Sequence, residues 1–331
     1  MKIAVIGAGI SGISAAYHLQ SKHDVTLMEK ANKIGGHANS VSVDDETLCG
    51  VNVDTGFIVF NDRNYPLFTK FLHQLGVTFV KTDMSFSYIN ISAKVGYAGT
   101  PKGLTPTLSK AFSLHHWLRI KGLYKYSRIL SSFEKRDLPA GNIMECLEEI
   151  GCPKDVIENY FIPMASAIWS CDQSASREIP SRAFVDFFLN HGLLGIKGRP
   201  NWNTVQGGSQ SYIEAFQNSF QGRIKLHQDV KIVLERSSKV VVTTQSGVES
   251  FDCVVIATHA DTSLQILPGI PPAKKSILLK HKYVENEAVL HTDEKLMPAN
   301  KRIWASWNVK GGKNENGKTV FQTSYFMNRL Q

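Results

Sequence analysis

The sequence predicts an α/β fold: a Rossmann-like dinucleotide-binding domain, interrupted by a mostly helical insert and joined to a second, mixed sheet. Three observations carry this. The short apolar run Lys2–Ile6 leads into Gly7-Ala8-Gly9-Ile10-Ser11-Gly12, a helical stretch Ile13–Gln20, and a second apolar run Asp24–Met28 that ends in Glu29. The stretch 63–200 then carries mainly helical spacing. Finally Phe251–Ala257, a near-continuous apolar run, reads as a buried parallel strand returning to the opening sheet.

The opening is strand, glycine turn, helix, strand, acid. Gly7 permits the tight turn, Gly9 lets backbone approach a pyrophosphate, and Gly12 lets helix and sheet pack closely. The N-terminus of that helix offers unpaired N–H groups and a partial positive charge to phosphates. Glu29 stands where an acid accepts hydrogen bonds from an adenosine ribose, with Lys30 beside it. That acid suits the adenosine ribose of FAD and of NAD equally. A secretion signal is a poor fit, because three glycines interrupt the apolar run and the next strand ends in an acid.

Gly35-Gly36-His37, directly after the second strand, allows another close backbone approach to a ligand. Ser40–Val43 and Thr47–Val53 read as a strand pair, followed by Asp54-Thr55-Gly56-Phe57. Helical spacing recurs in Tyr65–Leu75, Asn142–Ile150, Lys154–Trp169 with a kink at Pro163, and Ser181–His191, the last ended by Gly192. Val77–Val80 and Ser85–Ile91 read as strands. Leu108–Phe133, within the turn-rich segment Thr100–Arg136, is helical, aromatic and basic, with Trp117, Tyr124, Tyr126 and Phe133 among Arg119, Lys121, Lys125 and Arg128. Its simple reading is a helix pair with one solvated basic face. Its sharper reading is a surface that makes peripheral contact with an anionic membrane or leads a lipid substrate in.

The nucleotide fold resumes after Trp202. Gly207-Gly208-Ser209 precedes the helix Gln210–Phe220, with Ser209 as its N-cap. Then come Arg223–Leu226, the stretch 227–232, a strand at Lys239–Thr244, a Gly247 turn, and the strand Phe251–Ala257, which ends in Thr258-His259-Ala260. After a turn at Pro268–Pro272, Ile277–His291, Arg302–Val309 and Thr319–Tyr325 read as strands of the second sheet. The expected division is 1–62 and 203–262 for the dinucleotide domain, 63–202 for the helical insert, and 263–331 for the second sheet.

Bulk properties bound the function. The 331 residues allow one large or two ordinary domains, without need of disulfides or metals. The five cysteines (Cys49, Cys146, Cys152, Cys171, Cys253) include no CxxC pair, so no zinc site or disulfide framework is implied, and a reducing cytoplasm is the expected location. The sequon Asn90-Ile91-Ser92 carries no weight there. The net charge of +8 favours anionic ligands or an acidic membrane surface. No nucleic-acid-binding motif is present.

Taken together, Gly7–Gly12 with Glu29, Gly35-Gly36-His37, Asp54-Thr55-Gly56-Phe57, Pro163–Ser170, Asn190–Leu194, Arg199-Pro200-Asn201-Trp202, Gly207-Gly208-Ser209 and Val254–Thr258 resemble the flavin-containing amine oxidase and phytoene desaturase-like superfamily. Within it, the chain is most similar to an uncharacterised branch of NAD/FAD-binding oxidoreductases. The resemblance implies FAD. It places Gly7, Gly9, Ile10, Ser11 and Gly12 at the pyrophosphate and Glu29 and Lys30 at the adenosine ribose. It places Gly35, Gly36 and His37 towards the flavin half, adds Asp54, Thr55 and Gly56 to the cofactor residues, sets the Val230 backbone at the adenine, and has Ala257 and Thr258 line the nucleotide. Where amine oxidases commonly carry Arg after the glycine pair, this chain has His37. The family's water-holding lysine would fall near Lys280 or Lys282, and its closing nucleotide-binding segment is not legible before Gln331, so a fragment is expected.

The resulting expectation is a flavoenzyme taking a hydride from a C–H bond of a hydrophobic or amine-bearing small molecule, amine oxidase-like or desaturase-like, with a tilt towards lipids from the basic aromatic stretch. His191 is a candidate base, Arg199 a candidate partner for an anion, and Trp202 a candidate wall of the pocket, with Trp169 nearby in the pattern. His191 as a helix cap, Arg199 in a surface ion pair and Trp202 in the core are the plainer alternatives. A nicotinamide-only dehydrogenase and a non-catalytic or truncated dinucleotide-binding protein are the other function classes left open.

Overall fold

The computed structural model describes residues 1–43, 50–90, 95–133, 138–195, 198–313 and 319–331. Cys49, the first residues of the expected Thr47–Val53 strand, Ile91 and Ser92 of the sequon, and Arg136 lie outside them. The chain forms two compact units: Met1–Ile58 with Leu67–Val80 and Val205–Ala288, and Val59–Pro66 with Lys81–Thr204 and Val289–Gln331.

The first unit is built on a four-stranded parallel sheet. Its order is Arg223–Lys225, Asp24–Met28, Lys2–Ile6, Cys253–Ile256. Ile6 lies opposite Met28 on one side and Ile256 on the other, so three strand ends meet in register beside the glycine turn. The two central strands are almost wholly buried, which explains their unbroken apolar sequence. A three-stranded antiparallel sheet follows, Val230–Arg236, Lys239–Thr244 and Gly247–Phe251. Val230, Val233, Val242 and Phe251 of that sheet share one core with Ala4, Ile6, Met28 and Ile266.

The expected strand Phe251–Ala257 is in fact two elements. Phe251 ends the antiparallel sheet, and the parallel strand begins at Cys253. Asp252 makes the turn between them: its N–H donates to the Lys2 carbonyl at 2.8 Å, and its carboxylate accepts the Lys2 N–H at 2.6 Å and pairs with Lys239. As an edge strand, Cys253–Ile256 is half-buried rather than buried.

Two sequence-based boundaries are corrected here. Leu67–Val80 belongs to this unit and not to the insert, because the helix Pro66–Gln74 buries Phe71 and Leu72, and its Phe71 and Phe68 rings meet Tyr17 and Tyr212 edge-on. Residues 263–288 belong here as well, and Ile277–His291 is no strand. Pro271 and Pro272 instead start a helix, Pro272–Leu278, that takes up Ile277, and the exposed residues that follow have no partner strand among the described residues. The helix Ala260–Ile266 had no clear sequence signal.

The second unit holds the mixed sheet. Trp307–Lys313 runs parallel to Phe86–Asn90 and antiparallel to Thr319–Tyr325, and Val95–Ala98 closes the other edge. Arg302–Val309 was expected as strand throughout. Asn300 instead accepts the Arg302 N–H and holds Lys301–Ile303 in a short 3₁₀ turn, so the strand starts only at Trp307.

Helices Leu114–Ser132, Ile143–Glu149, Ile162–Trp169 and Ser181–Asn190 form the helical layer, around a core that includes Leu130, Leu147, Phe161, Phe184 and Phe188. Pro163 acts through the turn before it. Ile157–Phe161 widens into a π-helical turn, which relieves the clash of the proline ring with the Asn159 carbonyl. That carbonyl, deprived of an N–H from residue 163, accepts the buried Tyr97 hydroxyl at 2.8 Å.

Candidate functional site

In the first unit the glycine motif closes as its spacing requires. Gly7 sits at φ +96°, where a side chain is strained, and its N–H donates to the Met28 carbonyl at 2.8 Å. A Cβ on Gly12 would lie 1.8 Å from the Gly7 carbonyl oxygen, so only glycine lets helix Ile10–Leu19 sit this close to the turn. Gly9 differs. A Cβ there would meet nothing within 4 Å. Its bare surface therefore faces open space beside the helix start, where Ile10 and Ser11 are exposed and the first-turn N–H groups have no partners within the helix.

A second loop closes on the first. The Gly35 N–H donates to the Ala8 carbonyl at 2.8 Å, and a Cβ on Gly36 would come 3.0 Å from the Gly9 Cα. Ala257 and Thr258 complete the ring: the Ala257 N–H donates to the Ile6 carbonyl at 2.8 Å, and Thr258 borders Gly7. His37 leaves this loop exposed and stacks on His259, ring centroids 5.5 Å apart, and His259 stacks in turn on Tyr283 at 4.4 Å. The Tyr283 hydroxyl accepts the Ala260 N–H at the start of the next helix. Nothing in the local sequence marked Tyr283, since its partners lie far back in the chain.

Glu29 is held at the end of its strand by two backbone donors, Ala8 N–H at 2.8 Å and Ala31 N–H at 2.9 Å, one to each oxygen. Each oxygen keeps a second lone pair for a ribose hydroxyl. Lys30 is exposed, and its charge, after the hydrogen bond and charge of Lys231, helps hold the Asp229 carboxyl below its ordinary value. The backbone at Gln228 donates to the Glu29 carbonyl at 2.7 Å, which brings Val230 close to this end of the sheet. The Val230 side chain itself is in the core.

Asp54 stands among the cofactor residues by resemblance, and the structure gives its carboxylate an internal task. It is buried, accepts the Ser40 and Ser209 hydroxyls at 2.6 Å each, and accepts the Ser209 N–H at 2.9 Å on both oxygens. Ser209 does stand at the N-cap of helix Gln210–Ser219, but its side chain makes no capping bond: its hydroxyl is turned to Asp54, and the Gln210 N–H is taken by Ser40 at 2.9 Å. Asp54 also adds to the burial that raises the Tyr212 phenol above its ordinary value. Thr55 is tied to Asn39 by its N–H and its hydroxyl, and a Cβ on Gly56 would lie 2.2 Å from the His37 carbonyl oxygen, so this turn packs on the Gly35–His37 loop.

In the second unit, His191 ends helix Ser181–Asn190 as its C-cap and is buried. Its ring stacks on Phe187 at 3.9 Å and lies nearly parallel to Trp202 at 6.0 Å, with Tyr65 edge-on. Its Nδ1 donates to the Phe187 carbonyl at 2.8 Å, which leaves Nε2 as the acceptor of the ring. Burial, partly offset by that bond, lowers its pKa. The structure thus brings His191 and Trp202 together. Arg199 is exposed, donates to the Gly195 carbonyl at 3.1 Å, and lines an open cleft of about 290 Å³ with Asp62, Arg63, Pro200 and Asn201. Trp169 belongs to the helical core against Phe184, Phe187 and Phe188. Lys280 and Lys282 are exposed in the first unit.

Residues 10–329 match the family model for flavin-containing amine oxidoreductases. The chain belongs to that family. FAD is therefore its cofactor, and the bare face of Gly9, the uncovered helix start and the pinned Glu29 are of a kind that fits a dinucleotide. Cyclohexylamine oxidase from Brevibacterium oxydans IH-35A superposes with a TM-score of 0.66 at 14% identity, over 97% of this chain and 74% of that one. A fatty acid isomerase from P. acnes that produces CLA superposes with a TM-score of 0.59 at 16% identity, over 84% of this chain and 63% of that one. At such identities the likeness of this flavin-containing family member is one of fold. In sequence, 49 residues are 50% identical to the 4,4'-diapophytoene desaturase (4,4'-diaponeurosporene-forming) of Staphylococcus aureus strain Newman, over 14% of this chain and 10% of that enzyme. The chain thus matches only a tenth of the length of this curated relative.

Proposed function

We propose that the protein is an FAD-dependent oxidoreductase that takes a hydride from a C–H bond of a hydrophobic or amine-bearing small molecule. The observation that carries the reading is the cradle itself: the uncovered Gly9 backbone beside the exposed start of helix Ile10–Leu19, with Glu29 fixed at the next strand end. Bound FAD supplies the two-electron acceptor. The residues of the chain do the rest. The Gly7–Gly12 turn receives the pyrophosphate on its amides, and Glu29 receives ribose hydroxyls on its remaining lone pairs.

In the second unit, Nε2 of the neutral His191 holds or passes a proton, and the faces of Phe187 and Trp202 exclude water around it. The Arg199 guanidinium neutralises an anionic group on a ligand. Amine and long apolar substrates both fall within this reading. The four described cysteines are free, which supports a reducing cytoplasm, and among the described residues no helix is long and apolar enough to cross a membrane.

The test is spectroscopic. The purified full-length protein should be yellow with stoichiometric FAD, and anaerobic titration with amines and with long-chain unsaturated acids should bleach it with one class only. A colourless protein that binds NADH tightly would replace this reading with a nicotinamide-only dehydrogenase.

A further inference from the structure

The turn between helices Leu108–Ala111 and Leu114–Ser132 exposes apolar side chains to an unusual degree: Phe112 is 87% exposed, Leu108 78% and Leu114 75%. Leu104, Trp117 and Leu118 extend this patch. Soluble surfaces seldom leave a contiguous apolar patch without a use for it. Further along the longer helix, the exposed face continues as Lys121, Tyr124, Lys125 and Arg128, at helical spacing from Leu114, Trp117 and Leu118. The opposite face, with His116, Tyr126, Ser127 and Leu130, is buried. From Pro101 to Phe133 the sequence has six Lys and Arg and no Asp or Glu.

The patch is held in place rather than dangling. The His116 ring donates to the Leu104 carbonyl at 2.6 Å, the Trp117 indole N–H donates to the Ala111 carbonyl at 2.8 Å, and Asn300 donates to the Pro106 carbonyl at 3.0 Å. Arg119 turns inward to a two-point pair with Asp155, at 2.6 and 2.9 Å. Lys121, Lys125 and Arg128 stay on the exposed face.

We propose that this face docks on an anionic phospholipid surface, with Leu108, Phe112 and Leu114 entering the acyl boundary and Lys121, Lys125 and Arg128 meeting the headgroups. Charge decides between occupants. A second copy docked patch to patch would bring this basic segment, which has no Asp or Glu, against another of the same kind. A bilayer accepts the apolar tip and the basic flank together, and the exposed Trp117 and Tyr124 offer amphipathic rings of the kind that favour the interface. The surface is complete without the cofactor, so this inference stands apart from the redox reading.

The experiment is co-sedimentation of the purified full-length protein with vesicles of phosphatidylcholine alone, or with about 30 mol% phosphatidylglycerol, in KCl raised from about 0.05 to about 0.5 M. Binding to the anionic vesicles should exceed binding to the neutral ones by about tenfold and fall several-fold in high salt. Phe112→Ser with Leu114→Ser, and separately Lys121→Gln with Lys125→Gln, should each cut binding by about tenfold at unchanged thermal midpoint and flavin content. Equal retention on both vesicle types, or wild-type retention by the double serine variant, would overturn the proposal. So would self-association that the serine variant abolishes in the absence of any vesicle binding.

Discussion

The Asp54 carboxylate accepts the Ser209 N–H at 2.9 Å on both oxygens and the Ser209 hydroxyl at 2.6 Å, a contact between residues 155 apart in sequence. Ser40 joins from the strand Ser40–Val43, donating to Asp54 and accepting from Gln210. One buried anion thus fixes the hairpin after the second glycine loop to the start of helix Gln210–Ser219, where the helix dipole favours negative charge.

Removing that anion strands buried donors. Asp54→Ala should cost about 3 kcal/mol, and Asp54→Asn, which keeps one acceptor oxygen, about half as much. Urea midpoints at constant m-value measure both. A change below about 0.5 kcal/mol for the alanine variant would contradict the structural role.

Gly9 and Gly12 should part company under the same substitution. Gly12→Ala places a Cβ 1.8 Å from the Gly7 oxygen and should disrupt folding of the first unit. Gly9→Ala meets no atom within 4 Å and has an extended backbone, so stability should hold while FAD retention falls about tenfold or more. Thermal midpoint and flavin absorbance, read on each variant, separate the two. Full flavin in Gly9→Ala would count against the cradle.

His191 sets a pH dependence. Burial lowers its pKa in the folded state, so the unfolded chain binds the proton more readily. Stability from this residue is fully present above the unfolded value of about 6.5 and is lost as pH falls towards the lowered folded value, with a slope of at most about 1.4 kcal/mol per pH unit. Denaturant melts between about pH 7.5 and 5 should show the decline, and His191→Gln should flatten it. An unchanged slope would mean that another group dominates.

Pro163 and Tyr97 should be coupled. Tyr97→Phe leaves the Asn159 carbonyl without its donor and should cost about 1–2 kcal/mol. With Ala at position 163, a backbone N–H is restored and the helix can tighten, so Tyr97→Phe should cost less there. A double-mutant cycle gives the coupling directly, and strict additivity would argue against the exchange of donors.

The cysteines should react in order of burial. Burial, with a smaller push from Glu149, raises the Cys146 thiol to about 11, and burial raises Cys152 to about 12. At pH 8 about one part in a thousand of Cys146 is thiolate, and less of Cys152. Peptide mapping after brief alkylation should find the exposed Cys253 modified, and Cys146 and Cys152 only after unfolding.

What the sequence determined by itself was local or periodic. The Gly7–Glu29 turn was legible because each glycine answers a constraint within a few residues: a positive φ at Gly7, a helix-to-turn contact at Gly12. Ser181–His191 was legible because helical spacing and a glycine stop need no distant partner. Tertiary structure decided the rest. Apolar character alone made Ile277–His291 look like strand, but a strand requires an edge to pair with, and prolines had already committed its first residues to a helix. Ser209 has the side chain of an N-cap, yet a buried carboxylate from far upstream competes for its hydroxyl and wins. Tyr97 supplies a donor that Pro163 withholds from Asn159, an exchange between a sheet and a helix that no sequence window contains. In each case the deciding group is a hydrogen-bond partner brought close only by folding, which is why residue type and spacing located the glycine turn but not the distant contacts around it.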